Sequence, residues 1–248
     1  MSPALYDRIG VGYSEYRRPD ERIARSIQHA LGQSRSVLNV GAGTGSYEPS
    51  NRFVVAAEPS AEMIRQRTRT AAQSIQARAD RLPFRDRSFD AALAILTIHH
   101  WSNRDNGLAE MRRVARDLVV ILTWDPEHPS FWLVQDYFPE ILRIDRRNFP
   151  SLHDIEKSIG PMEVHAVPVA SECADGFLGA YWRRPEAYLD PRVRAAISTF
   201  SRFDPTAGVA RLRHDLEDGT WSERYSSLLS LQELDIGYRV LVSRCKVP

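Results

Sequence analysis

Residues 36–45 read Ser-Val-Leu-Asn-Val-Gly-Ala-Gly-Thr-Gly, an apolar run that leads directly into a glycine-rich turn. The short β-branched run predicts a buried strand. Gly41, Gly43 and Gly45 carry no Cβ, so they can adopt positive φ and let a ligand approach the backbone closely. The spacing is GxGxG, whereas the dinucleotide-binding pattern has its third glycine one position later, at Ser46. The stretch therefore predicts a strand followed by a ligand-binding turn.

Strand and helix patterns alternate on both sides of this turn. Residues 22–31 place Ile23, Ile27 and Leu31 four apart, which predicts a helix before the sheet, with Asp20 as its N-cap. Further strands are predicted at residues 53–57, 74–79, 89–98, 118–122, 162–169 and 238–242. Helices are predicted between the early strands, opening at Met63 and along Leu108, Met111 and Val114. This alternation predicts an α/β protein with a doubly wound, Rossmann-like, mostly parallel sheet of seven strands.

The alternation stops after residue 124, where the chain becomes rich in proline and aromatic residues. Helical patches are predicted within residues 193–200, 209–216 and 225–231. We interpret this part as a helical and aromatic cap inserted into the domain, and not as a linker. It is long enough to cover a pocket.

Composition favours a globular protein with a small-molecule ligand. Of the 248 residues, 43% are hydrophobic and 26% are charged, which supports a buried core and excludes disorder as the main state. The 33 basic and 32 acidic residues leave a net charge of +1, so neither nucleic acid nor a membrane surface is expected as a partner. Cys173 and Cys245 are too few for a disulfide framework. With no signal peptide or membrane span expected, the predicted location is the cytoplasm.

An acidic residue follows the second predicted strand. Glu58 falls at the end of the pattern at residues 53–57. A carboxylate at this position can accept hydrogen bonds from the hydroxyls of a ribose. Taken with the glycine turn, Glu58 predicts binding of a nucleoside cofactor.

Several motifs resemble one enzyme family in order and spacing. They are residues 37–45, Glu58-Pro59-Ser60, Met63, Leu82-Pro83-Phe84, Ser88-Phe89-Asp90 and His99-His100-Trp101. In this arrangement the chain resembles the class I S-adenosylmethionine-dependent methyltransferases, in the type 11 branch related to the ubiquinone/menaquinone and trans-aconitate methyltransferases. The resemblance covers residues 1–124 and is mostly architectural beyond them. It implies an enzyme that uses S-adenosyl-L-methionine as its cofactor.

The resemblance also implies which residues hold the cofactor. In the family the glycine turn supports the methionine part, the acid after strand two binds the ribose, and the loop after strand three meets the adenine. The implied residues are Gly41, Ala42, Gly43 and Gly45 for the methionine part, Glu58 for the ribose, Ala79 and Asp80 for the adenine, and Leu96 after strand four. Many relatives carry an aspartate two residues before Asp80, where this chain has Arg78.

The N-terminal segment 6–19 resembles the lid of this branch, in which an aromatic ring and an arginine close over the cofactor. Tyr13 and Arg18 are the residues implied. A ring face attracts a sulfonium, and a guanidinium can pair with the cofactor carboxylate. The expected organisation is a single methyltransferase domain over residues 1–248. Its parts are lid helices at 1–35, a cofactor-binding half at 36–124, the cap and late-strand insertions at 125–235, and the last strand at 236–248.

His100 is the candidate catalytic residue. It follows the fourth predicted strand, where the family has its acceptor-facing loop, and it could act as general base toward a hydroxyl or an activated carbon. The alternative is a structural histidine that ends the strand. His99 is expected to point the other way if the strand alternation continues. The segment 96–101 lacks the Asn/Asp-Pro-Pro-aromatic turn of exocyclic-amine methylation in nucleic acids, and no carboxylate cluster suggests a metal. A small-molecule acceptor and no metal are therefore predicted.

Two alternatives stay open. An S-adenosylmethionine-binding protein without transfer activity would share these features, because the acceptor side has no indispensable motif. An NAD(P)-dependent oxidoreductase shares the glycine turn and the ribose carboxylate, although its third glycine is normally spaced differently. Both a monomer and a homodimer are compatible with the sequence.

Overall fold

The computed structural model describes residues 17–245. The strands of that part are β1 (Ser36–Val40), β2 (Phe53–Glu58), β3 (Gln73–Gln76), β4 (Phe89–Ile95), β5 (Ala115–Trp124), β6 (Met162–Ala166), β7 (Val169–Ala170), β8 (Glu233–Leu234) and β9 (Tyr238–Arg244). Its α-helices are α1 (Glu21–Leu31), α2 (Ala61–Arg65), α3 (Arg104–Val114), α4 (Pro139–Asn148), α5 (Leu152–Ile159), α6 (Pro191–Ala195), α7 (Thr206–Glu217) and α8 (Thr220–Arg224). Strands and helices alternate as far as β5, as the sequence predicts.

One sheet contains seven strands in the order β3-β2-β1-β4-β5-β9-β6. Strands β1 to β5 pair in parallel, and β9 runs antiparallel between β5 and β6. The order reverses between β1 and β4, because the chain first builds outward to β3 and then returns to the other side of β1. Ligands of open α/β sheets bind in the crevice at such a reversal, beyond the carboxyl ends of the strands. The topology therefore puts the expected site at the ends of β1 and β4.

Helices cover both faces of the sheet. Ile23 and Ile27 of α1 are buried against one face, whereas Leu108, Met111 and Val114 of α3 are buried against the other. Helix α1 begins as predicted, because the Asp20 side chain accepts a hydrogen bond from the backbone N–H of Arg22 (2.9 Å). The doubly wound α/β fold is confirmed.

Several elements differ from the sequence-based expectation. Strand β3 is shorter than predicted, and each of its four residues is exposed. The strand predicted over residues 162–169 is divided, since Pro168 cannot donate to a sheet; β6 joins the large sheet, and Val169 pairs with Leu234 in a separate two-stranded sheet. Helices α4 and α5 occupy a segment in which no helix was expected.

The cap has an apolar core of its own. The large rings of Trp132, Phe138, Tyr188 and Trp221 are buried together, and the Trp132 and Trp221 rings meet edge to face with centroids 5.2 Å apart. Most of the cap aromatics thus stabilise the cap itself. Within residues 17–245, no helix combines the length and apolar character needed to cross a bilayer.

Candidate active site

The glycine turn after β1 is open on one side. Gly41, Gly43 and Gly45 have φ of +71°, +52° and +94°, a region that L side chains rarely adopt. A Cβ on Gly41 would lie 2.2 Å from Oγ1 of Thr97, so this glycine allows the turn to pack against the chain after β4. A Cβ on Gly43 would have no described atom within 4 Å. The turn therefore presents bare backbone to the crevice at Gly43.

Glu58 ends β2 and lies against this turn. Its side chain is buried, with Oε2 accepting a hydrogen bond from the backbone N–H of Gly43 and Oε1 accepting one from that of Ser60, both at 2.8 Å. A carboxylate can accept about four hydrogen bonds, so these two are compatible with ribose hydroxyls as further donors. The predicted ribose carboxylate and the glycine turn are thus joined directly.

A buried ion pair between Arg67 and Glu48 contacts the backbone of the glycine turn. The Arg67 guanidinium donates to Oε1 of Glu48 (2.7 Å) and to the carbonyl oxygen of Gly43 (3.0 Å), and both side chains are almost fully buried. Glu48 also accepts from the backbone N–H of Ala72 (3.0 Å). This pair fixes the backbone of Gly43. Sequence reasoning missed it, because the two residues are 19 positions apart and lie outside any local pattern.

The predicted adenine residues follow β3. Ala79 is buried, and Asp80 is held by Arg78, whose Nε lies 3.0 Å from Oδ1 and whose Nη2 lies 2.9 Å from Oδ2. Arg78 also donates to the Ser102 hydroxyl (2.7 Å) and lowers the pKa of Asp80. Asp80 therefore stays ionised at neutral pH and is positioned by the arginine that stands where many relatives have an aspartate.

The chain turns sharply after β4. Leu96 has φ +49°, although it is not a glycine, and its N–H bonds the carbonyl oxygen of Leu122 (2.8 Å). A 3₁₀ turn at Ile98–His100 follows. Such left-handed residues mark turns or strain at functional sites. Leu96 precedes Thr97, which packs against Gly41, and itself lines the pocket described below.

Both histidines of the turn face that pocket. The expectation that His99 points away is wrong, because β4 ends at Ile95 and the alternation of a strand no longer applies. The His99 and His100 ring centroids are 3.9 Å apart, and His99 stacks on Phe149 at 3.9 Å. Burial lowers the pKa of both, that of His100 to about 4. Both imidazoles are therefore neutral at physiological pH.

A pocket that is partly open to solvent lies between the carboxyl ends of β4 and β5 and the cap. It is lined by Arg17, Leu96, His99, His100, Trp124, Ser130, Phe131, Val134, Ile141, Leu142, Asp145, Phe149, Phe177, Leu178, Ile197, Ser198, Thr199, Ile236 and Tyr238. Apolar and aromatic side chains predominate. This lining is typical of small-molecule sites.

The N-terminal predictions are only partly covered by the structure. Tyr13 lies outside the described residues, and Arg18 is exposed to solvent. It is Arg17 that lines the pocket, where its Nε lies 2.6 Å from Oδ1 of the buried Asp175. The Tyr47 hydroxyl donates to the other oxygen of Asp175 (2.8 Å). This network links the N-terminal segment to the chain after the glycine turn.

No group of three or more histidine, cysteine, aspartate or glutamate side chains that could hold a metal ion is found in the part of the chain that the structure describes.

Comparisons with known proteins agree with this geometry. A family model described as a methyltransferase domain matches residues 38–122, from β1 to β5. The crystal structure of a protein of Anabaena variabilis, provisionally described as a methyltransferase from an antibiotic biosynthesis pathway, is 33% identical in sequence with a TM-score of 0.85. That similarity covers 92% of this chain and 98% of the other, so it includes the cap.

Curated relatives match the cofactor-binding half. A demethylmenaquinone methyltransferase of Renibacterium salmoninarum is 31% identical over 49% of this chain and 54% of its own length. A tRNA (carboxymethyluridine(34)-5-O)-methyltransferase of Arabidopsis thaliana is 26% identical over 54% of this chain and 35% of its own. This chain thus spans about half or less of the length of these curated relatives. The fold, the glycine turn joined to Glu58, and a relative 33% identical along almost its whole length together show that the chain belongs to the class I S-adenosylmethionine-dependent methyltransferases, in the type 11 branch.

Proposed function

We propose that this protein transfers the methyl group of S-adenosylmethionine to a small molecule held in the capped pocket, by in-line displacement and without a metal. One observation carries the proposal: the segment after β4 belongs to both sites. Thr97 packs against Gly41 of the glycine turn, whereas the adjoining Leu96, His99 and His100 line the pocket. A donor on the turn and an acceptor in the pocket would therefore meet at this segment.

The residues around the turn fit the cofactor. Gly43 offers open backbone, and Glu58 is a buried carboxylate directly beside it. We assign Glu58 to the ribose hydroxyls, Ala79 and Asp80 to the adenine, and Leu96 to the end nearest the acceptor. When bound, S-adenosylmethionine supplies an electrophilic methyl group on a sulfonium.

The pocket supplies alignment and exclusion of water. The sulfur loses its positive charge when its methyl group leaves. The protein therefore contributes to the rate mainly by holding the two reactants in line and by excluding water. The apolar lining and the cap suit this task. Where the acceptor is a hydroxyl or an activated carbon, His100 would receive its proton, because the lowered pKa keeps the imidazole neutral and able to accept.

The pocket favours a small molecule over a nucleic acid as the methyl acceptor. The cap side chains Phe131, Val134 and Ile141 line it together with His99 and His100, and this mostly apolar lining suits one compact ligand. The similarity to a tRNA-modifying relative covers only about half of this chain. These features favour a small-molecule acceptor over a nucleic acid.

Calorimetric titration tests the cofactor half of the proposal and the oxidoreductase alternative. Wild-type protein is titrated with S-adenosylmethionine, S-adenosylhomocysteine, NAD⁺ and NADP⁺, and the variant Glu58→Gln with any ligand that binds. We expect binding of the two adenosyl compounds and a loss of about 1–3 kcal/mol in the variant, the scale of hydrogen bonds to a charged group. Glu186→Gln, an exposed carboxylate of the cap, is the control and should bind normally.

Three results would contradict the proposal. Binding of NAD(P) without S-adenosylhomocysteine would favour an oxidoreductase. Binding of S-adenosylhomocysteine without any transfer from methyl-labelled S-adenosylmethionine to metabolite extracts, or with transfer only to RNA, would leave the cofactor assignment intact and overturn the acceptor assignment.

A further inference from the structure

The acceptor pocket contains a buried carboxylate that the proposed function does not use. Asp145 of α4 is 7% exposed and is the one carboxylate among the described residues that line the pocket. Its Oδ1 accepts a hydrogen bond from the Thr199 hydroxyl (2.8 Å). Within residues 17–245 it forms no ion pair. A single neutral hydrogen bond is little compensation for removing a charge from water.

The other charged groups around the pocket do not balance this charge. Arg17 also lines the pocket, but its guanidinium is paired with Asp175. His99 and His100 are neutral, because burial lowers their pKa values. Burial raises the pKa of Asp145 to about 6, and the Thr199 hydroxyl and the exposed Arg202 offset this only in part; no contact within ion-pair distance joins the Arg202 and Asp145 side chains. At pH 7 and above Asp145 is therefore mostly ionised, and its charge has no ion-pair partner among the described residues.

The walls of the pocket are suited to a cation. Ring-bearing side chains that line the pocket, besides the histidines, are Trp124, Phe131, Phe149, Phe177 and Tyr238. The face of an aromatic ring attracts a cation, and the attraction is stronger where water is excluded. A ligand with a positive charge would gain from both the carboxylate and the rings, whereas an anionic ligand would be repelled by Asp145.

We propose that Asp145 recognises a cationic nitrogen of the methyl acceptor, so that the acceptors are small apolar or aromatic molecules bearing an amine. The ammonium donates a hydrogen bond to the Asp145 carboxylate, and the apolar body of the molecule packs against the ring-lined walls. This assignment concerns recognition and holds whichever atom receives the methyl group. It rests on the proposed function, because it takes the capped pocket as the acceptor site.

Three probes of similar shape separate charge from hydrophobic fit. Phenethylamine is cationic, phenethyl alcohol is neutral and 3-phenylpropanoate is anionic at pH 7.5. Each is titrated, by ligand-observed NMR or calorimetry, into the full chain saturated with S-adenosylhomocysteine. The variants are Asp145→Asn, which retains an oxygen to accept from Thr199, and Glu140→Gln, which removes a partly exposed carboxylate of the same helix. Thr199→Val is a second test, because it removes the hydroxyl that orients Asp145.

We expect saturable binding of the amine that is at least ten-fold tighter than that of the alcohol, with no detectable binding of the carboxylate. Asp145→Asn should weaken amine binding at least ten-fold and leave the alcohol unchanged, whereas Glu140→Gln should bind all probes as wild type does. Thr199→Val should weaken amine binding by a smaller factor. Equal binding of amine and alcohol, tighter binding of the carboxylate, or an amine affinity unchanged in Asp145→Asn would overturn the proposal.

A cofactor control distinguishes this failure from failure of the proposed function. The affinities of wild type and Asp145→Asn for S-adenosylmethionine and S-adenosylhomocysteine are compared. Equal values in the two proteins support the assignment. A loss confined to S-adenosylmethionine in the variant would mean that Asp145 faces the sulfonium and would overturn it. Absence of S-adenosylhomocysteine binding in wild type would instead refute the proposed function, whatever the amines do.

Discussion

A single added methyl group can separate the folding role of the glycine turn from its ligand-binding role. Gly41→Ala and Gly43→Ala both place an L side chain at positive φ, which costs about 1–2 kcal/mol of folding free energy. At Gly41 the new Cβ would also lie 2.2 Å from Oγ1 of Thr97 and would force a shift that costs a further 1–3 kcal/mol or so. At Gly43 no described atom is within 4 Å, so no steric cost of this kind is added.

We therefore expect the free energy of unfolding to fall by about 1–2 kcal/mol in Gly43→Ala and by about 2–5 kcal/mol in Gly41→Ala. Urea unfolding followed by tryptophan fluorescence measures both. The affinity for S-adenosylhomocysteine should fall at least ten-fold in Gly43→Ala, because the methyl group occupies the bare side of the turn. Gly219→Ala is the matched control, since Gly219 has φ +86° and no described atom near its Cβ position, and it lies in the cap.

The control isolates the backbone cost. Gly219→Ala should lose stability as Gly43→Ala does and still bind S-adenosylhomocysteine like wild type. Wild-type affinity of Gly43→Ala for S-adenosylhomocysteine would contradict the predicted role of Gly43, because it would show that the cofactor does not approach the turn at the position where the backbone is open.

Three further changes test the pocket and its surroundings. Asp145→Asn should raise the free energy of unfolding at pH 7 by about 3 kcal/mol, because burial raises the pKa of this carboxyl from 3.8 to about 6 and so makes its ionisation unfavourable in the folded state. This gain in the free energy of unfolding should shrink as the pH falls from 6 to 4, because Asp145 of the folded wild type is then protonated. Equal gains in urea unfolding at pH 4 and pH 7 would contradict this. Asp175→Asn should lower stability by about 3 kcal/mol, since it removes the charged partner of the largely buried Arg17; a change below about 0.5 kcal/mol would count against that pairing. His100→Ala should reduce the rate of methyl transfer while the affinity for S-adenosylhomocysteine stays the same, and an unchanged rate would return His100 to a structural role.

The cofactor half of the fold could be predicted because its signals are local. Strand β1 and the glycine turn are continuous in sequence, and Glu58 follows a strand whose apolar run is easily recognised. Helix α1 carries both of its end signals, Asp20 and Gly32. In each case the residues that decide the structure lie within one turn or strand of the element that they define.

The acceptor side could not be predicted in the same way. The orientation of His99 depends on where β4 ends. That end coincides with the left-handed conformation of Leu96, which a leucine in the sequence does not indicate. Asp145 becomes significant only when the cap brings it to the pocket beside Thr199, 54 positions away. Arg67 meets the turn through a contact with Gly43, 24 positions away. These features depend on tertiary packing, and the composition of the cap does not encode them locally.

The most direct test of the central claim is a crystal structure of the protein with S-adenosylhomocysteine. We expect ribose hydroxyls within hydrogen-bond distance of Glu58, the amino-acid part of the ligand over Gly43, and the sulfur at Leu96 facing the pocket that contains His100 and Asp145. Clear density for the ligand elsewhere, or a sulfur atom separated from this pocket, would contradict it.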